Sequence, residues 1–159
     1  MFAEYHGPLV RLLTRRTGDP ARAEDLAQEV WVRAMESPPS NPRPWLFAVA
    51  LNLARDDGRR AVRQDRHLAL LKAEQAGAST PAPDQQVEQD ERAAAVRAAL
   101  DTLTETDRSA LLLKAEGCSY DEIASAIGLA KGAIGTTLAR ARRRLVEAYR
   151  AREGTDGSR

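Results

Sequence analysis

Within 119-SYDEIASAIGLAKGAIGTTLARARRRL-145, two apolar rows of helical period are interrupted by a glycine, and few folds accept such a break. Ser119 and Glu122 make an S-x-x-E pattern, in which the hydroxyl takes the amide three residues on and the carboxylate reaches back. A helix therefore starts at about Tyr120. Ile123, Ala124 and Ile127 repeat at three and four and share one face. Gly128 stands where a left-handed residue closes a helix at least cost. A second row, Ile134, Leu138, Ala141 and Leu145, continues for three more turns. Two helices joined by a short Gly-containing turn form a helix-turn-helix unit, and Ala124, Gly128 and Ile134 supply the small contact residue, the turn and the apolar anchor it needs.

On the second helix, Ala133, Thr136, Thr137, Arg140, Arg143 and Arg144 face away from the apolar row, with Lys131 at its start. Hydroxyls and guanidiniums at that period suit a helix lying in a major groove, the short groups on base edges and the arginines on phosphates. An antiparallel helix pair with a solvated basic face carries the same pattern.

Charge is distributed unevenly along the chain. The formal net charge is only +1, yet Lys131 to Arg152 holds seven basic residues and one acidic, while Asp19 to Glu36 holds five acidic and two basic. Such a chain can offer one end to nucleic acid and another face to a protein. At 159 residues it has room for one ordinary domain or two small ones. Aromatics make up 4% and strand-like alternation is absent, so the fold expected is all-α. No stretch approaches the roughly 20 apolar residues of a membrane span, and the charged N-terminal segment lacks a signal-length apolar run. Cys118, the only cysteine, rules out an intramolecular disulfide and points to a small buried thiol in a reducing cytoplasm.

Leu9, Leu12 and Leu13 mark a first helix ending near Gly18, and Asp19-Pro20 is an N-cap followed by proline at the first helical position. The second helix, about Pro20 to Glu36, turns Ala23, Leu26, Ala27, Val30 and Ala34 inward and leaves Glu24, Asp25, Gln28 and Glu29 outside. The segment 37-SPPSNPRP-44 reads as a loop, because its prolines lack donors and bias their predecessors to extended backbone. A third helix then begins near Trp45, with Leu46, Val49, Ala50 and Leu53 inward. The run 77-GASTPAPD-84 reads as a flexible linker. Two further helices, Ala93 to Leu103 and Asp107 to Glu116, precede the helix-turn-helix. The expected organisation is a domain over 1–70, an acidic linker over 71–92, a four-helix domain over 93–152 and a disordered tail over 153–159.

With these pieces in order, the chain resembles a bacterial RNA polymerase sigma factor of the extracytoplasmic-function group of the sigma-70 family. The resemblance covers nearly the full length. It rests on 23-AEDLAQEVWVRA-34, similar to the family's core-binding helix, on 42-PRPWLFAVALNLARDDGRR-60, similar to its melting and minus-10 segment, and on 111-LLLKAEGCSYDEIASAIGLAKGAIGTTLARARRRL-145, similar to its minus-35 reader. It implies core RNA polymerase as a partner, through the clamp helices of the largest subunit and the flap, promoter DNA as a second, and an anti-sigma protein as a third. No cofactor or metal is implied.

Carried onto these residues, the resemblance implies polymerase contacts by Asp25, Gln28, Glu29 and Arg33. It assigns a base pocket and melted-strand contacts to Ser40, Asn41, Arg43, Asn52, Arg55, Arg59 and Arg60. Trp45 reads either as a stacking platform or as core. Three departures stand out. Where the family often has a basic, serine-containing run early in the recognition helix, this chain has 135-GTT-137; Thr104 replaces a frequent proline, and Leu51 a frequent basic residue.

Other functions fit less of the chain. His6 and His67 are the only histidines, neither with Cys, Asp or Glu at metal spacing, and no phosphate loop or nucleophile elbow appears. Each histidine reads as a surface residue. A dimeric helix-turn-helix regulator acting alone accounts for residues 93–150 but leaves Asp19 to Arg66 without a purpose.

Overall fold

The computed structural model of the chain describes residues 2–74 and 87–156. Among the described residues the regular structure is helical throughout: α1 (Phe2–Thr17), α2 (Pro20–Glu36), α3 (Pro42–Glu74), α4 (Val87–Asp101), α5 (Glu105–Ala115), α6 (Tyr120–Ile127) and α7 (Ile134–Asp156), with a 3-10 turn at Lys131–Ala133 leading into α7. None of the described helices is long and apolar enough to cross a membrane.

Local chemistry sets most of these boundaries. Asp19 caps α2, its Oδ1 accepting the amides of Ala21 at 3.1 Å and Arg22 at 3.2 Å, with Pro20 in the first turn where a missing donor costs nothing. Ser119 and Glu122 close the capping box of α6: Ser119 Oγ accepts the Glu122 amide at 3.1 Å, and the Glu122 carboxylate accepts the Ser119 amide at 2.9 Å. Gly128 follows at φ 73°, its amide donating to the Ala124 carbonyl at 2.9 Å.

Several boundaries differ from the sequence expectation. The third helix starts at Pro42, not near Trp45, so the proline loop shrinks to residues 37–41. Pro42 and Pro44 occupy the first turn, where amides have no partner inside the helix, and proline is tolerated there. At the other end α3 runs on to Glu74 and α4 already begins at Val87, so both edges expected to be linker are helical. Leu, Ala, Lys and Glu after His67 are strong helix formers. The centre of the expected linker, 75–86, lies outside the described residues. The expected tail from 153 is helical to Asp156, and 157–159 lie outside the described residues.

Two bodies share one apolar core. Leu9, Leu12 and Leu13 of α1 pack with Leu26, Val30 and Trp31 of α2 and with Leu46, Phe47 and Ala50 of α3. Leu100, Leu103, Leu112, Leu113, Ile123, Ile134 and Leu138 fill the α4–α7 body. The cluster runs from one body into the other, with α6 laid across α3 and α5 against α1. Leu51, in place of the basic residue the family resemblance leads one to expect, is buried within it. Cys118 is buried too, and loss of solvation pushes its thiol up to about 11, which leaves it unreactive at neutral pH.

Gly128 is a backbone requirement rather than a packing one, since a Cβ there meets nothing within 4 Å. An L-residue held in the left-handed region costs about 1–2 kcal/mol. Gly128→Ala is therefore expected to lower unfolding free energy by about that amount. Gly132, equally open but at ordinary φ, should accept alanine without loss. Denaturant melts of the two variants check the pair.

Candidate nucleic-acid and polymerase interface

Helix α7 is oriented by its apolar row: Ile134, Leu138 and Ala141 are fully buried, which turns Thr136, Ala139, Arg140 and Arg143 to solvent. Lys131 at the entry is exposed and donates to Asp121 at 3.2 Å, while Ala133 is half-buried. Thr137 corrects the sequence reading. It is 4% exposed and its hydroxyl donates to the Ala133 carbonyl at 2.7 Å, so it belongs to the flank of the core and not to a reading face. Thr136 donates to the same carbonyl at 3.0 Å but stays exposed.

Arg140 and Arg144 are not loose cations. Both reach back to Asp107 in the first turn of α5, whose carboxylate is wholly buried: Arg140 donates from Nη2 at 2.7 Å and Nε at 3.3 Å, and Arg144 from Nη1 at 3.1 Å. Thr104 caps α5 by accepting the Asp107 amide at 3.2 Å, which fixes the backbone beneath this carboxylate. The hydrogen bond from Arg140 holds the Asp107 carboxyl below its ordinary range, against the opposing effect of burial. Arg143 is exposed and has no ion pair among the described residues.

In the first body, α2 presents Asp25, Gln28, Glu29 and Arg33 outward, with Arg33 donating to Glu29 at 3.4 Å. Val32 and Met35, 52% and 80% exposed, lie on the same outer side. The sequence reading passed over both. Their signal was present, since two apolar residues fall outside the inward period of an otherwise regular helix. His6 also differs from expectation: it is partly buried, accepts from Trp31 Nε1 at 3.1 Å and lies 3.3 Å from Glu24. His67 is exposed, and no group of metal-binding character exists among the described residues.

The loop 37–41 and the start of α3 border a cavity of about 340 Å³ lined by Pro39, Ser40, Asn41, Pro44, Trp45, Ala48 and Ser125. That volume lies at the small end of ligand pockets. Ser40 and Asn41 are exposed at its rim, Trp45 is half-buried in its wall, and Ser125 comes from α6 of the other body. Asn52 and Arg55 line a smaller cavity of about 130 Å³ that also touches Glu105, Thr106 and Ser109. Arg59 and Arg60 are exposed farther along α3.

Arg43 faces the other body rather than solvent. It donates to the Glu116 carbonyl at 2.9 Å and lies 3.5 Å from the Glu122 carboxylate. Around it, Arg11 and Arg15 bond the Glu116 carboxylate at 3.2 and 3.3 Å, and Arg16 meets Glu105 at 3.5 Å. Burial, followed by repulsion from Arg108, lowers the Arg16 pKa. Burial pushes Glu105 upward as the largest single effect, yet the bonds and charges of Arg108 and Arg16 and the Ser109 hydroxyl together bring its carboxyl below the ordinary range.

The class follows from this layout: a helix-turn-helix body joined to a three-helix body that carries a charged, partly apolar outer helix and a pocket beside a proline loop. Residues 1–64 match the family model described as Sigma-70 region 2, and residues 93–145 the one described as Sigma-70, region 4. The chain is 36% identical over 137 residues to the ECF RNA polymerase sigma factor EcfG of Rhodopseudomonas palustris, covering 81% of this chain and 72% of that one. It is 32% identical over 140 residues to the ECF sigma factor SigE of Mycolicibacterium smegmatis, covering 85% of this chain and 54% of SigE. In fold it is similar to the sigma factor RpoE of Bartonella quintana, solved with the anti-sigma factor NepR, at TM-score 0.58 and 24% identity over 94% of each chain. It is also similar to CnrH, solved with the cytosolic domain of CnrY, at TM-score 0.66 and 23% identity over 94% of this chain and 85% of that one. The chain belongs to the sigma-70 family of RNA polymerase sigma factors, in its extracytoplasmic-function group. Its general role is promoter-specific initiation of transcription.

Both Asp107 and Glu105 have folded pKa values below their unfolded ones, so each contributes stability that is present above about pH 4 and is lost as pH falls through the folded value. Thermal melts of the full chain should therefore show a fall in midpoint below about pH 4. In Asp107→Asn that fall should be smaller.

Proposed function

We propose that the chain is a non-catalytic specificity subunit acting in the cytoplasm, with separate residues for polymerase, for the minus-35 element and for the melted minus-10 strand. The outer side of α2 serves the polymerase: Asp25, Gln28, Glu29 and Arg33 form a charged rim around Val32 and Met35, and a partly apolar centre inside a polar rim is the composition of a protein interface. Charged rims of this kind govern register and encounter rate more than affinity. Lys131 at the turn into α7, with Thr136, Arg140, Arg143 and Arg144 on the helix, serves the minus-35 duplex, with Ala133 at the edge. Ser40, Asn41, Arg43, Asn52, Arg55, Arg59 and Arg60 serve the opened strand, with the 340 Å³ cavity receiving an unstacked base.

The observation that carries this reading is that the two bodies expose chemically different faces, an acidic and apolar one on α2 and a basic one on α7. A regulator acting alone has no use for the first. Arg43, Asn52 and Arg55 line the contact between the bodies, so in this reading the bodies part when the melted strand is engaged. A protein that clasps both bodies would hold the chain silent, and an anti-sigma partner is proposed on that ground.

Purified chain added to core polymerase is expected to start transcripts at a defined position in run-off assays; DNA binding without transcripts would support the regulator instead. Arg143→Ala should weaken binding of the holoenzyme to the promoter duplex and reduce the salt slope by about one, while leaving core binding intact. Asp25→Arg should do the reverse, with core affinity down by about tenfold through lost charge complementarity. Equilibrium binding to core and to duplex, measured for both variants, checks this division of labour.

A further inference from the structure

Asp107 has no assigned part in binding, yet among the described residues it is the one carboxylate of the second body that is wholly buried beside α7. It sits in the first turn of α5, 33 residues before Arg140 and 37 before Arg144, and takes three guanidinium donors. Arg140 meets it side-on with Nε and Nη2, the geometry in which a planar guanidinium is held in orientation as well as position. Arg144, one turn further along α7, meets the same carboxylate end-on with Nη1 alone. Both arginines remain about half exposed, at 43% and 48% of their side chains.

The donor count shows what is left over. A guanidinium has five N–H donors. Among the described residues, Arg140 Nη1 and Arg144 Nη2 make no bond to protein and stay available on the solvent side. Two cations and one carboxylate leave a single net positive charge, matched to one phosphate. An arginine on a flexible stem makes phosphate contacts wherever a backbone passes, which raises affinity for any sequence. An arginine locked from below contacts phosphate in one register only.

We propose that Asp107 is a positioning residue for promoter recognition: by clamping Arg140 and Arg144 from beneath, it turns two cations into one ordered phosphate cradle that fixes the register of α7 on the minus-35 duplex. This rests on the assignment of α7 as the duplex reader. Freed of the clamp, the arginines bind DNA more promiscuously, with two effective charges in place of one.

The test uses the full chain bound to core polymerase. Its probes are the duplex upstream of the start site mapped by run-off transcription and a shuffled duplex of the same composition. Asp107→Asn keeps the shape and removes the charge. It should steepen the salt slope by about one unit. It should also strengthen binding to the shuffled duplex and lower the ratio of specific to shuffled affinity about fivefold, because phosphate contacts set the register in which the base edges are met. A role confined to stability would lower the melting midpoint and leave slope and ratio unchanged, and that result overturns the proposal. Should Asp107→Asn fail to fold, Arg140→Lys decides: it keeps the charge and loses the fork, so the ratio should fall at unchanged slope, and an unchanged ratio overturns the proposal. Arg140→Ala separates the two levels. If it weakens duplex binding while Asp107→Asn changes neither slope nor ratio, only the positioning role fails; if it leaves duplex binding unchanged, the assignment of Arg140 to DNA fails and the positioning role with it.

Discussion

Glu116 carries a carboxylate that is 3% exposed and belongs to the second body, yet its partners Arg11 and Arg15 belong to the first. A buried carboxylate without partners is expensive, since water has been removed and nothing replaces it. The contact between the bodies therefore depends on the two arginines of α1 meeting this one acid, while Arg43 takes the adjacent carbonyl. The rest of the contact follows: α5 is drawn against α1, α6 against α3, and Leu51 is buried in the continuous core.

The same contact is suited to opening. Arg11 and Arg15 remain 59% and 48% exposed, so solvent screens their end of each pair and holding these long side chains in place costs conformational freedom. On separation, Glu116 regains water, which offsets the broken bonds. The interface is thus held by screened polar links together with the apolar residues through which the core continues from one body into the other. A partner shifts such an equilibrium only by as much as its affinity for the parted state exceeds its affinity for the packed one. Polymerase and promoter, as proposed above, are partners of that kind. The pairing of Asp107 with Arg140 and Arg144 differs in character, for Asp107 is wholly buried where α5 and α7 pack.

How much was legible in the sequence divides along the same line between local and distant interactions. The capping box of Ser119 and Glu122, the left-handed Gly128 and the Asp19-Pro20 start of α2 are settled within four residues of chain, so reading them needs no knowledge of the fold. The apolar rows of α2 and α7 are likewise periodic, and the buried faces followed from them. The start of α3 was misjudged because Pro42 and Pro44 look like breakers until their place in the first turn is known. Thr137 was assigned outward because a helical wheel has no sharp edge, and only the packing of the neighbouring helices decides which flank is covered. Asp107 and Glu116 left no signature, since their partners lie 33 to 105 residues away and ordinary surface acids look the same in sequence. Placement of Arg43 against Glu116 likewise depends on how the two bodies meet.

The central claim is that the two bodies are packed together in the free chain and part when it works with polymerase. A fluorescent donor on α1 and an acceptor on α7, at exposed Glu4 and Glu147, report that separation directly in the free chain and in a complex with core polymerase and promoter. The account predicts strong energy transfer in the free chain and its loss in the initiating complex. Strong transfer retained in a complex that starts transcripts would contradict it.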